Sequence, residues 1–337
     1  MKVTIYDVAK EAKVSIATVS KVINQKGRIS EETVKKVRQA MEKLNYQPNL
    51  IASALMGKQT KTIGLLIPDL ANPFFSELAR SIEDRAHEFG YNIVMCSTDY
   101  QEAKEEKYIA LLKQKRVDGF ILASGFENFK IVKELINEDF PVAIVARDFP
   151  MIPINAIALD DFMGGYLAAT HLINLGHTNV GVIALDVWSN RERIRGFRQG
   201  YEQRNLQLRD DFSYLKNMKE NHVELGKRAI KKYIDSGNIP SAIFACNDLL
   251  AIGAVNEAKG NGLKIPRDLS VIGFDNTIIA TLVDPPLTTI AQPIKEMGEE
   301  VIDLMISSLK TAHKGKTRLT LLPELVERQS TKPFHYG

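Results

Sequence analysis

From Thr62 onward the chain repeats one pattern: a short unbroken apolar run rich in β-branched residues, then a stretch with helical period. The runs are "TIGLLIP", "YNIVMC", "VDGFILA", "PVAIVA", "NAIAL", "NVGVIA", "SAIFAC" and "LSVIGF". A strand that is apolar at every position is buried on both faces, which calls for parallel sheets covered by helices. About ten strands are too many for one comfortable sheet. The pattern therefore predicts two doubly wound parallel-sheet subdomains, with a ligand cleft between them at the strand C-termini.

The first 45 residues carry no such runs and show three helical patterns instead. In "TIYDVAKEA", Thr4 precedes Asp7 by three, the spacing of a capping box, and Ile5, Val8, Ala9 and Ala12 form the apolar stripe. "KVS" is the turn. "SIATVSKVIN" follows, with Ser15 placed to cap and Val19, Val22 and Ile23 facing in. After "QKGR", Ser30 opens a third helix whose inward residues are Val34, Val37, Met41 and Leu44; "YQPN" ends it, because the residue before Pro48 is pushed out of helical geometry. Two short helices joined by a tight turn and followed by a third form a helix-turn-helix, whose second helix enters the DNA major groove. The second face of that helix is small, polar and basic, as the groove requires. Ile16 and Ala17 suit thymine methyls, Lys21 suits guanine or phosphate, and Thr18, Ser20 and Asn24 suit phosphates or base edges. A small helical bundle with no DNA role has the same apolar pattern.

Charge is compatible with the DNA reading, although lysine-rich helices are also often simply solvated. Residues 1–59 hold 11 Lys/Arg against 5 Asp/Glu, a net +6, whereas the remainder holds 33 against 36, a net −3. A basic front on a slightly acidic body suits a polyanion partner. The start "MKVTIYDVAKEAK" lacks the apolar core of a signal peptide, and no apolar run is long enough for a membrane span. Cys96 and Cys246 each end an apolar run and read as small buried residues of a reduced compartment; one disulfide stays open, but no metal-ligand spacing exists. The expected location is the cytoplasm. "EAKEEKYIALLKQKRVDG" reads as a solvated helix face.

"VTIYDVAKEAKVSIATVSKVIN", followed by "LNYQPNLIASALMGKQTKTIGLLIPD", resembles the N-terminus of the LacI/GalR family of bacterial transcription regulators. The likeness continues through "NPFF", "LINLGH", "RIRGF", "AIFACNDLLAIGA", "LSVIGFDN", "PPLTTIAQP" and "ERQST", in the family's order and across nearly the whole chain. "CSTDY" and "AQPIKEMG" look most like the Gram-positive DegA-type members. The resemblance implies a headpiece at 1–48, a hinge helix and linker at 49–59, and an effector-binding, dimerising core at 60–337. Within that core, subdomain 1 covers about 60–159 and 290–318, and subdomain 2 about 160–289 and 319–332. The body is of the periplasmic-binding-protein type.

The implied function is an effector-controlled repressor that binds a pseudo-palindromic operator as a dimer. Its DNA-binding set is Thr4, Ser15, Ile16, Ala17, Thr18, Ser20, Lys21 and Asn24, with Asn49, Ala52 and Leu55 in the hinge. The leucine at the position of Leu55 wedges into the central base step and kinks it. By the same resemblance Arg193 and Asp275 hold hydroxyls or carboxylates of a small polar effector, a sugar, sugar phosphate or similar molecule. Asn247, Arg147, Asn72, Phe74 and Phe75 complete the lining. The residues agree in part: Asp275 and Asn247 each follow an apolar strand, where an α/β cleft gathers ligand groups. Each could equally cap a loop, at least one of Phe74 and Phe75 reads as core, and Trp188 reads equally as ligand contact or buried residue.

The sequence departs from the family at several points. Lys13 stands where the turn usually has glycine, so its backbone is expected to avoid positive φ. Lys21 stands where arginine is common, which weakens bidentate guanine reading. Lys295, Glu296 and Asp303 do not suit the phosphorylated carrier protein that catabolite-control members bind. After "ERQST" only "KPFHYG" remains, with no leucine heptads, so a dimer is expected rather than a tetramer. No cofactor is expected. An enzyme reading has little support: "GNGLKI" lacks the third glycine of a dinucleotide fingerprint and follows a helix, and no nucleophile elbow or P-loop occurs. A free periplasmic sugar-binding protein would share the body but not the first 58 residues.

Overall fold

The computed structural model describes residues 3–23, 27–46, 59–126, 128–208, 213–215, 220–310 and 315–334 of the 337. The chain divides into two units, residues 1–60 and 61–337.

In the first unit, α1 (Ile5–Ala12), α2 (Ile16–Ile23) and α3 (Glu31–Lys43) enclose a small core of Val8, Ala9, Ala12, Val19, Val22, Val37 and Ala40. Ile5, Ile23, Val34, Met41 and Leu44 pack around it. The Asp7 carboxylate accepts the Thr4 amide at 2.8 Å and the Thr4 hydroxyl at 2.7 Å. The Ser15 and Ser30 hydroxyls accept the Thr18 and Thr33 amides at the starts of α2 and α3. The expectation for Lys13 is corrected: it closes α1 in the left-handed region, at φ 53° and ψ 43°. That conformation lets the Val14 amide reach back to the Ala9 carbonyl at 3.1 Å and turns Val14 onto the core. These gains offset the roughly 1–2 kcal/mol that a Cβ costs there.

The second unit holds two six-stranded sheets. The first comprises β1 (Thr62–Ile67), β2 (Asn92–Ser97), β3 (Gly119–Ala123), β4 (Val142–Val145), β5 (Asn155–Leu159) and β11 (Arg318–Leu321), in the order β11-β5-β4-β3-β1-β2 and wholly parallel. The second comprises β6 (Val180–Leu185), β7 (Ser213–Leu215), β8 (Ala242–Ala245), β9 (Ser270–Asp275), β10 (Thr288–Ala291) and β12 (Glu324–Val326), in the order β12-β10-β9-β8-β6-β7. Only β12 among these runs antiparallel to its neighbour. Two residues, Leu322 and Pro323, link it to β11. A link that short enters the second sheet at the end facing the first, so β12 must run away from it.

The chain passes between the sheets after β5, after β10 and after β11. The positions 289/290 and 318/319, taken from the sequence as crossings, fall inside β10 and β11; strand pairing puts the passages at Gln292–Pro293 and Leu322–Pro323 instead. Cys96 and Cys246 are both free thiols, Cys96 only half-buried on the edge strand β2. No helix among the described residues is long and apolar enough to cross a membrane.

Two helix pairs of the second sheet cross at backbone contact. In α7 (Asp161–Asn174) a Cβ on Gly165 would sit 1.7 Å from the Arg193 carbonyl of α8 (Trp188–Glu202), and one on Gly196 would sit 1.8 Å from the Phe162 carbonyl. Gly226 of α9 (His222–Asp235) and Gly253 of α10 (Asp248–Gly260) make the same approach, with Cβ clearances of 2.2 and 2.1 Å to facing carbonyls. Gly165→Ala should therefore lower stability by about 3 kcal/mol, since backbone cannot yield as a side chain can. Gly260→Ala has open space at its Cβ and ordinary φ, and should leave the melting temperature unchanged or slightly raised. Thermal melts of the two variants beside the parent chain check both.

Candidate DNA-binding unit and effector cleft

On α2, Val19 and Val22 are buried while Ser15, Ile16, Ala17 and Lys21 are exposed and Thr18 and Ser20 half-buried. The outward surface thus carries two apolar groups, hydroxyls and one cation. The Ser15 and Thr18 hydroxyls lie 2.8 Å apart and orient each other. Ile16 is 41% exposed, a large apolar side chain left in water by its own unit. On α1, Tyr6 is 68% exposed and was missed in the sequence, because it lies off the apolar stripe and resembles any surface tyrosine. Thr4 is tied to Asp7 at the start of the same helix. Asn24, Asn49, Ala52 and Leu55 lie outside the described residues.

In the second unit a cleft opens where the C-terminal ends of the two sheets face each other. All seven candidate effector residues line it: Asn72, Phe74, Phe75, Arg147, Arg193, Asn247 and Asp275. Each comes from a segment following a strand. Asn72 caps α4 (Pro73–Glu88) by accepting the Phe74 amide at 3.1 Å, which brings Phe74 and Phe75 to the cleft after β1. Both rings are buried, edge to face with centroids 5.0 Å apart, so core packing and cleft lining are one role here. Asn247 caps α10 through its carbonyl oxygen at 2.8 Å, while its amide faces His222 Nδ1 at 3.3 Å. The side chain thus caps the helix with one end and meets another cleft residue with the other. Trp188 is half-buried at the start of α8 and lines the cleft.

Arg193 is the electrostatic centre. Its Nε donates to Asp161 Oδ1 at 2.7 Å, its Nη1 donates to the Cys246 carbonyl at 2.6 Å, and Asp275 Oδ1 lies 3.6 Å from the same nitrogen. The guanidinium stacks 3.5 Å from the Phe274 ring centroid. Burial alone would lower the Arg193 pKa; Asp161 and Asp275 more than reverse that, and the group stays charged. Burial raises the Asp161 carboxyl to about 6 even against Arg193. It also raises Asp275, with Arg193 opposing and the charge of Asp248 adding to the rise. Burial pushes the Cys246 thiol up to about 12, which leaves it unreactive.

Sequence reading missed two side chains that hold Asp275 in place. Gln292, in the passage between β10 and the following helix, donates to Asp275 Oδ1 at 2.7 Å. Asp248 accepts the Thr277 amide and hydroxyl at 2.9 and 3.0 Å and the Thr289 hydroxyl at 2.7 Å, pinning the loop after β9. That loop needs pinning. Asp275 has φ 112° and Asn276 φ 59°, and Ala146 beside Arg147 has φ 61°, all costly for residues with a Cβ. For Asp248 the signal in the sequence was the doubled polar residue after β8, "CND", whose second member does the anchoring; Gln292 carried no comparable signal.

A helix-turn-helix unit joined to a two-sheet body with a polar cleft between its halves defines a ligand-responsive DNA-binding regulator. Comparison with known proteins gives the same class. Residues 4–49 match the family described as bacterial regulatory proteins, lacI family, and residues 169–331 match the periplasmic binding protein-like domain. The HTH-type transcriptional regulator DegA of Bacillus subtilis (strain 168) is 47% identical over 340 residues, which cover 99% of this chain and 100% of that protein. The crystal structure of the lac repressor dimer bound to operator and the anti-inducer ONPF superimposes with a TM-score of 0.86 at 30% identity, covering 98% of this chain and 100% of that one. A LacI family regulator from Enterococcus faecium with bound ribose gives 0.72 at 31% identity, over 81% of this chain and 100% of that one. The chain belongs to the LacI family: it is a DNA-binding transcription regulator and not an enzyme.

The Asp161 shift has a testable sign. Between its ordinary value of 3.8 and about 6, folded Asp161 keeps a proton that the unfolded chain has lost. Its contribution to stability is therefore complete below about pH 4 and is lost as pH rises through about 6, by up to roughly 3 kcal/mol. The difference in stability between the parent and Asp161→Asn, followed by urea denaturation from pH 4 to 7, should change across that window and be flat above it.

Proposed function

We propose that the protein represses transcription as a dimer and that a small neutral hydroxylated molecule of the sugar class, bound in the cleft, sets its affinity for the operator. The cleft's internal charge pairing carries the reading. Arg193 is already engaged by Asp161 and Asp275, and Arg147 donates to the Phe126 carbonyl; beside these two cations and His222 the lining is chiefly amide, hydroxyl and aromatic, with Asn190, Gln292, Ser124, Ser189, Phe75 and Trp188. Neutral polar groups beside ring faces suit a sugar. The ribose held by the Enterococcus faecium relative supports the same class.

The candidate groove contacts are Ser15, Ile16, Ala17, Thr18, Ser20 and Lys21, with Thr4 and Asn24. The proposed hinge segment at 49–59 folds in the minor groove, where Leu55 wedges the central step. A second copy of the chain would cover Leu70, Val94, Met95, Ile278 and Leu282, large apolar side chains exposed on this protomer, Leu282 at 74%. A regulator of genomic operators works in the cytoplasm.

Effector binding shifts operator affinity only by its difference in affinity for the two states of the body. Asp275→Ala should weaken effector binding on the order of tenfold to a hundredfold, as loss of a charged hydrogen bond implies, and remove effector control while leaving operator affinity without effector nearly unchanged. Arg193→Ala, which leaves Asp161 and Asp275 buried without their cation, should remove effector control and also lower the melting temperature. Gel shifts with and without the sugar decide this, and a full response in both variants refutes the site.

Lys21→Ala should weaken operator binding and reduce the slope of log K against log salt by about one, if the ammonium replaces a counterion on phosphate. Leu55→Ala should cost specific binding more than non-specific binding and reduce the bend measured by circular permutation. Titrations from low to physiological salt and permuted operator fragments give the two readouts; unchanged values for either variant remove that residue from the interface.

A further inference from the structure

The motif "CSTDY" ends in a tyrosine to which the reading above gives no role, and the fold takes unusual measures to hold it. Tyr100 lines the cleft from the loop after β2. It and Asp99 both sit in the left-handed region, at φ 54° and 52°. Two consecutive side-chain-bearing residues there are strained and persist only when their surroundings fix them. The surroundings do so. The Thr98 and Asp99 amides donate to the Ile67 and Pro68 carbonyls, both at 2.8 Å, and the Asp99 carboxylate is held by Ser97 at 3.2 Å and by Lys104. On the far side of the ring, Gly125 after β3 leaves space: a Cβ there would lie 2.8 Å from Tyr100 Cε1 and 3.1 Å from the Pro68 ring.

The residue is thus held by its own loop, tied at Thr98 and Asp99 to the end of β1, and its ring lies against the loop after β3 where Gly125 makes room. Its hydroxyl makes no hydrogen bond to any of the described residues, although that of Tyr201, the large buried tyrosine of the same unit, donates to a carbonyl at 3.0 Å. Tyrosine hydroxyls in enclosed settings usually find a partner. Tyr100 lies within electrostatic reach of Asp275 across the cleft. Burial, then the charges of Asp69 and Asp275, hold the phenol well above its ordinary pKa, so it remains a neutral donor and acceptor.

We propose that Tyr100 is a specificity-determining residue of the effector site: its fixed phenol hydrogen-bonds a hydroxyl of a neutral sugar that Asp275 grips from the opposite subdomain. This rests on the sugar reading given above. One ligand then spans both halves through two groups that share no direct bond, and the strained loop serves to keep the phenol at a set distance from Asp275. A sugar lacking that hydroxyl, or one of different stereochemistry there, leaves the phenol unpaired and is discriminated against.

The test uses the full-length chain and Tyr100→Phe, which removes one oxygen. Isothermal titration with D-ribose, D-glucose, D-galactose, ribose 5-phosphate and glucose 6-phosphate identifies the sugar that binds the parent chain. Tyr100→Phe should bind that sugar roughly three- to tenfold more weakly, the range of a neutral hydrogen bond. Its melting temperature without ligand and its operator affinity without ligand should match the parent. Monodeoxy analogues of the same sugar supply a readout that a merely structural role would not move: for one analogue the parent and Tyr100→Phe should bind alike. Equal binding of the intact sugar by both proteins overturns the proposal. So does an equal loss in Tyr100→Phe for every deoxy analogue, which marks a structural role. Binding of the phosphates alone overturns the neutral-ligand assignment. No binding of any of the five to the parent overturns the sugar reading itself, an outcome distinct from failure at Tyr100.

Discussion

The second sheet's side of the cleft is arranged around one buried cation, Arg193. Arg193 has lost nearly all contact with water, and a guanidinium in that position is tolerable only if carboxylates and carbonyls replace its solvent. Asp161, Asp275 and the Cys246 carbonyl do so, and they come from three separate segments. The demand for solvation therefore fixes the position of α7 relative to α8, of the loop after β9 and of the loop after β8. The glycine crossing of α7 and α8 is the steric counterpart of this electrostatic demand. Only helices in backbone contact bring the first turn of one to the first turns of the other. Arg193 so engaged becomes a scaffold as much as a ligand group, holding Asp275 at an angle its backbone would not choose.

The sequence was most informative where one signal served one purpose. Continuous apolar runs bounded by turn signals mark strands, so eight of the twelve strands were readable from their own residues, although one of them, β2, is an edge strand with Val94 and Met95 exposed rather than buried on both faces. β11 and β12 were not: Arg318, Thr320 and Glu324 are polar because they lie on edge strands with a wet face, and a three- or four-residue edge strand resembles a loop. The same reasoning explains Lys13. Composition says a lysine avoids positive φ, but the outcome depends on whether the Val14 amide and side chain gain more than the Cβ loses, and only the packed structure balances the two.

The candidate site followed the same rule. Arg193, Asp275 and Asn247 were found because the family resemblance marked them and because polar residues directly after apolar strands are conspicuous. Gln292, Asp248 and Tyr100 were not found. Gln292 and Asp248 act through other side chains, and their importance depends on distances that join positions 17 to 41 residues apart in sequence. Tyr100 depends on a glycine 25 residues away that is notable only for lacking an atom. Ile16 and Tyr6 show a further limit: exposure of an apolar side chain marks a surface for contact, yet no local pattern separates it from an ordinary surface residue.

The passages of the chain between the two sheets bear on how the protein is made. The first sheet begins at Thr62 but is completed at its edge by Arg318–Leu321, and the helix packed on α4 and on β3, β4 and β5 spans Ile294–Lys310. As the polypeptide leaves the ribosome, five strands of that sheet are available after about half of synthesis, while the helix that shields one of their faces is not. The apolar residues Val301, Ile302 and Met305 arrive only after the whole second sheet except its last short strand. The nascent first half must wait with an uncovered face through the translation of roughly 130 residues, on the order of ten seconds or more. A cleft at the meeting of two halves thus carries a biosynthetic cost. The geometry that opens a cleft between the halves also delays the closing of the first half until the last, and makes the growing chain a natural client for chaperones.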